Sequence, residues 1–209
     1  LCAINLGIII LSLSLSSPTS RAPLSTRLLC LFIGMVTVFL VAVASAKMFT
    51  YIGGYGLTRL RVMTQLGIVF FGVSALSVSV GLFTKKPRYM QVIVITALVL
   101  GGSAFWADVD TVVATYNVNA YLEGDLKTVD VDYLGDLSSG AIPQIARLIH
   151  DDDPKVAKEA RRILRYSRAD WSDFRDWNWS VAEAQDCLEE NERDFEDEDD
   201  FYRDYPDYY

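Results

Sequence analysis

The residues whose types and spacing can do chemistry are few, and they form two opposed charged pairs. Arg59 and Arg61 lie two apart beside the hydroxyl of Thr58, and Asp108 and Asp110 lie two apart further along the chain. Arginines at the mouth of an apolar stretch can hold an anionic ligand or a lipid headgroup. They can equally snorkel from a lipid-embedded helix and pair with Asp108 or Asp110. Asn117 and Asn119 follow on a predicted helix, where their amides either bind a ligand or satisfy backbone groups of the following turn. His150 stands directly before Asp151, Asp152 and Asp153. Consecutive acids point in different directions, and the alternating ligands and central glycine of a calcium loop are absent, so this run is expected to be a helix cap rather than a metal site. His150 has no Ser or Cys at a recognisable nucleophile spacing. Cys2, Cys30 and Cys187 make no CxxC, zinc spacing or disulfide framework. No catalytic residue, metal or cofactor is therefore expected. Arg59, Arg61, Asp108, Asp110, Asn117 and Asn119 remain as a polar cluster that is either ligand-binding or structural.

The elements that must position these residues follow from the distribution of charge. The 209 residues carry a formal net charge of −8, but the first acid is Asp108. Before it come eight Lys/Arg and no Asp or Glu; all 27 acids lie from Asp108 onward. One water-soluble globule is excluded by that division. Nucleic-acid binding is not expected either, because no basic patch carries interleaved aromatics. A hydrocarbon core of about 30 Å needs roughly 20 apolar residues in a helix. Residues 28–46, 62–83 and 90–107 meet this without a charge, and residues 1–15 form a shorter apolar run. The chain opens on Leu1 inside that run and is read as a fragment whose first helix is cut. The expected fold is an all-α membrane protein of about four transmembrane helices (1–15, 28–46, 62–83, 90–107). A helical polar module (108–190) and a disordered acidic, aromatic tail (191–209) follow it. Gly67, Ser74, Ser77 and Gly81 are expected to mark a close-packing face of the third span. No span carries an ionisable residue in its interior, which argues against an ion pathway here.

Orientation follows from Lys/Arg in the short connectors. Arg21, Arg27, Lys85, Lys86 and Arg88 fall on one side, and Lys47, Arg59 and Arg61 on the other. The larger group belongs in the cytoplasm, which puts the polar module outside. In that module the helical pattern is expected to carry on through 108–122 and stop at Gly124. Residues 127–137 read as an acidic linker. Ile142, Ile145, Leu148 and Ile149 read as one face of a short helix. Asp153-Pro154 is a helix start, with Val156, Ala160, Ile163 and Leu164 facing inward. Ser180 with Glu183 makes a capping-box pattern for a last helix. Trp171, Phe174, Trp177 and Trp179 serve either as module core or as an interfacial anchor.

Several strings resemble a known family. Tyr55-Gly56-Leu57-Thr58-Arg59-Leu60-Arg61-Val62 opens a membrane helix. It is followed by Tyr116-Asn117-Val118-Asn119-Ala120-Tyr121-Leu122, by Asp130-Val131-Asp132-Tyr133-Leu134, and by Leu137-Ser138-Ser139-Gly140-Ala141-Ile142-Pro143. The order resembles the C-terminal part of a bacterial multi-pass membrane protein family, the domain of unknown function numbered forty-one seventy-three or a close neighbour, over residues 28 to 185. Trp177-Asn178-Trp179-Ser180 resembles that family's Trp-Asn-x-Ser element. Ala107-Asp108-Val109-Asp110 stands where an Asn-Pro-Asp-like turn would be expected, and the acidic, tyrosine-rich tail has no counterpart. The resemblance implies an integral membrane protein and no activity. Residues 141–165 are also similar to one HEAT-type helical hairpin, too little to make a solenoid.

The function expected on these grounds is that of a non-enzymatic integral membrane protein whose helical module makes protein or envelope contacts. Its partners would be the bilayer and another membrane or envelope protein. The alternative is a transporter or membrane-enzyme subunit whose site lies in missing N-terminal spans.

Overall fold

The computed structural model describes residues 1–14, 23–84, 88–167 and 179–191. The described residues are helical, with no strand among them. The expected acidic tail and the residues Trp171, Phe174 and Trp177 lie outside them, and of Trp179 only the backbone is described. The chain divides into two compact units, one of residues 1–54 with 58–107 and one of 55–57 with 108–209.

The first unit holds α1 (Cys2–Ser14), α2 (Leu24–Tyr55, whose last residue counts with the second unit), α3 (Arg59–Gly81) and α4 (Tyr89–Trp106). The last three are long and apolar enough to cross a membrane; α1 is a shorter apolar helix. α2 has 32 residues, about 48 Å at 1.5 Å per residue. It runs past the uncharged stretch 28–46, because 47–55 contain no proline and two glycines only weaken a helix. Gly56 follows it with φ 75°, a left-handed conformation that side chains disfavour. Thr58 then caps α3 by accepting the Arg61 N–H at 3.3 Å. The Thr58 hydroxyl oxygen thus serves as a helix cap.

Leu6, Ile9, Cys30, Val78 and Leu82 form a small buried cluster joining α1, α2 and α3. Asn5 donates its amide to Thr37 Oγ1 at 3.1 Å, and Thr37 donates to the Ile33 carbonyl. The small residues act differently from the sequence expectation. A Cβ at Gly67 would meet nothing within 4 Å, whereas one at Gly72 would meet Val41 Cγ1 at 3.1 Å and one at Gly34 would clash with Ser79. A face repeating every seven residues drifts by about 20° per repeat on a straight helix. Of the four expected residues Ser74 does lie on the buried face of α3, which it shares with Gly72, Ala75 and Val78.

The second unit holds α5 (Val109–Leu122), α6 (Val131–Gly135), α7 (Ile142–Ala146), α8 (Pro154–Ser167) and α9 (Trp179–Glu190), with a 3-10 turn at Ser139–Ala141. Helix does not run unbroken from 90 to 122. Ala107 is extended, and Asp108 restarts the helix by accepting the Asp110 N–H at 3.3 Å, as a short acceptor side chain at an N-cap does. Gly124, at φ 82°, ends α5.

Residues 127–137 are not a linker. Asp130 caps α6 through the Tyr133 N–H at 2.9 Å, and Val131 and Leu134 enter the core. The local pattern of a capping acid followed by apolar residues three apart is enough to build one turn. Leu134, Ile145, Leu148, Ile149, Ala160 and Leu164 make that core, with Ala114 and Val118 from α5 and Ala184 and Leu188 from α9. The 141–165 pair is thus part of a five-helix core rather than a freestanding hairpin. α8 starts as expected, the Lys155 N–H donating to Asp153 Oδ1 at 2.9 Å. α9 includes Trp179, two residues earlier than a Ser180 cap would start it.

Candidate functional site

Four of the six predicted site residues lie on or directly before α5, and its heptad geometry places Asp110 and Asn117 on one buried face. Asp110 is 8% exposed and Asn117 6%. Arg59 and Arg61 open α3 in the first unit, Arg59 exposed and Arg61 half-buried.

Asn117 is the central feature. Its Oδ1 accepts the Leu57 N–H at 2.6 Å, and its Nδ2 donates to the Leu57 carbonyl at 2.8 Å. One amide thereby satisfies both backbone groups of a residue 60 positions upstream, not those of the following turn. Gly56 is held closely by the same pairing: a Cβ there would lie 2.5 Å from Asn117 Oδ1. The Tyr55-Gly56-Leu57 and Tyr116-Asn117 strings are thus two halves of one contact. Asn119 does something else, accepting from Arg147 Nη1 at 2.7 Å near the surface.

At the start of α5 lies a second cluster. Asp108 Oδ2 accepts from Thr111 Oγ1 and from Ser180 Oγ, each at 2.9 Å. Asp110 Oδ2 accepts the Ser138 N–H at 2.9 Å. Gly140 packs against both side chains of the Asp108–Thr111 pair, and a Cβ there would lie 2.5 Å from Asp108 Oδ2. Only glycine fits that approach. Asp108→Ala removes the cap and releases Ser180. The expected loss is about 1 kcal/mol, and faster amide exchange in α9 than in α8 is the measurement that checks it.

The run after His150 is also structural. Asp151 Oδ1 accepts the Asp153 N–H at 2.9 Å and the Tyr121 hydroxyl at 3.0 Å. Burial, with the bond to Asp151 next, pushes the Tyr121 hydroxyl above its ordinary value. Arg161 donates twice to the Ile149 carbonyl, at 3.1 and 2.8 Å, closing the turn that leads into α8.

On the surface, Arg162 bridges Asp132 at 2.7 Å and also pairs with Glu159. Burial pushes the Glu159 carboxyl above its ordinary value. A hydrogen bond with Asp132 adds to this and Arg162 opposes it. The folded state therefore holds this proton more tightly than the unfolded chain. Its contribution to stability is full below the ordinary value of 4.5 and is lost as pH rises through the raised folded value. Glu159→Gln is expected to melt higher relative to the parent at neutral pH than below that window. Thermal melts across the range in detergent read this directly.

Sequence reasoning missed Leu57, Thr111 and Ser138 as polar partners of α5, and the bond of Ser180 to Asp108; Gly140 was missed as the close approach beside them. The Ser-Ser-Gly run at 138–140 signals a tight turn, but nothing local names its partner. Asp108, Asp110 and Asn117 each make hydrogen bonds within the second unit, and Asn119 bonds Arg147 apart from them.

Three helices of spanning length and a polar helical unit define an all-α membrane protein. The chain belongs to the family described as a domain of unknown function, DUF4153, whose model matches residues 1–148. This is a near neighbour of the family numbered forty-one seventy-three. The match takes in the apolar helices and both halves of the Leu57–Asn117 contact, and ends before α8, so the Trp177–Ser180 element falls beyond it. No curated protein and no solved structure matches the chain.

Proposed function

We propose that this chain is a non-enzymatic integral membrane protein whose helical module (108–190) is extracytoplasmic and makes protein or envelope contacts. The observation that carries the reading is the engagement of Asp108, Asp110 and Asn117, which bind neighbouring backbone and hydroxyl groups of their own unit and leave α5 a structural post. The exposed side of α8, with Lys155, Lys158, Arg162 and Tyr166, is the contact face. Arg59 and Arg61 act as snorkelling anchors at the start of α3. Sidedness rests on the distribution of Lys/Arg among the connectors.

The test is topological. In a background without native cysteines, Thr84→Cys is expected to resist a membrane-impermeant maleimide in intact cells, while a reporter fused to the C-terminus reads outside. A C-terminus in the cytoplasm overturns the extracytoplasmic assignment. Release of the chain from membranes by alkaline carbonate overturns the membrane reading itself.

A further inference from the structure

We propose that the cleft between α3 and α4 binds an anionic phospholipid, an acyl chain lying in the cleft and the phosphate at Arg88. The cleft has a volume of about 470 Å³, within the roughly 300–1,000 Å³ of pockets that bury most of a small ligand. Its walls are Val73, Leu76 and Val80 from α3 and Val92 from α4, with Tyr89 and Arg88 at one end. Apolar along its length and cationic at one end, it matches an amphiphile with a negative head.

Two further observations select the occupant. The Arg88 side chain is exposed and makes no hydrogen bond or ion pair among the described residues. The first 107 residues contain no Asp or Glu, so nothing in that stretch of sequence can neutralise it. A guanidinium at the end of a spanning helix lies at the depth of lipid phosphates, which a planar donor fork can hold with two hydrogen bonds. α4 has no buried residue, so the Val92 side of the cleft is open to lipid along its length. The inference rests on α3 and α4 crossing a bilayer.

The test uses the full chain in neutral detergent, with fluorescently labelled phosphatidylglycerol and phosphatidylcholine as probes. The parent is expected to bind phosphatidylglycerol roughly five- to tenfold more tightly. Arg88→Gln is expected to remove that preference and keep the affinity for phosphatidylcholine. Ser77→Trp, which fills the cleft wall, is expected to weaken both lipids. Circular dichroism confirms that each variant remains helical. Equal affinity of the parent for the two lipids overturns the proposal, as does a preference that survives Arg88→Gln. Undiminished binding by a folded Ser77→Trp variant overturns the cleft as the site. Displacement of the labelled lipid by inorganic phosphate alone overturns the lipid as the source of the anion. A chain that stays soluble without detergent instead fails the membrane reading, a separate outcome.

Discussion

Asn117→Ala is expected to destabilise the second unit by about 2–3 kcal/mol. The substitution strands the Leu57 N–H and carbonyl, which Asn117 holds at 2.6 and 2.8 Å. A buried polar group left without its partner costs about 1–3 kcal/mol, and Leu57 is half-buried, so water recovers part of the loss. Protease susceptibility of the unit in a denaturant series measures it. Asn119→Ala is the internal comparison. Arg147, its partner, is exposed and also donates to Gln144 Oε1 at 2.9 Å, so the expected cost is under about 1 kcal/mol. Equal effects of the two substitutions would remove Asn117 from its central place. Asn117→Asp separates the halves of the contact, since a carboxylate keeps the bond from the Leu57 N–H but faces the Leu57 carbonyl without a donor. It should fall near the alanine variant rather than the parent.

Leu164→Ala is expected to cost about 2–5 kcal/mol, the range for truncating a fully buried aliphatic side chain. Leu164 is 0% exposed and packs into the core shared with Leu134, Ile145 and Leu148. The loss combines the transfer energy of the missing carbons with the cavity left in the shared core. Tyr166→Ala, two residues on and 75% exposed, should stay within about 0.5 kcal/mol of the parent. Denaturant midpoints in detergent distinguish the two. A Leu164→Ala variant as stable as Tyr166→Ala would mean that α8 does not belong to the core.

Much of this architecture was legible in the chain. Apolar runs at 28–46, 62–83 and 90–107 announce helices of spanning length, because the cost of placing charge in hydrocarbon accumulates residue by residue along a window. The start of α8 at Asp153 was marked by an acid that caps a helix two residues on, whereas the break at Ala107 and the restart at Asp108 were not foreseen. Gly124 at the end of α5 was equally plain. All of these are local effects, decided by a residue and its near neighbours.

The rest depended on partners far away in the chain. Nothing about Asn117 points to Leu57, 60 residues earlier, nor about Asp108 to Ser180, 72 residues later. An amide or carboxylate has hydrogen-bonding capacity but no built-in address, and packing chooses its partner. The same holds for residues 127–137, whose acids suggest a linker until Val131 and Leu134 find a core to enter. It holds for α3, where the small residues that permit close approach are set by what α2 presents opposite them. Solvent preference and capping act over a few residues and are written in the sequence itself. Which buried polar group meets which is settled only when the helices close on one another, because there an unmatched donor or acceptor can no longer turn to water.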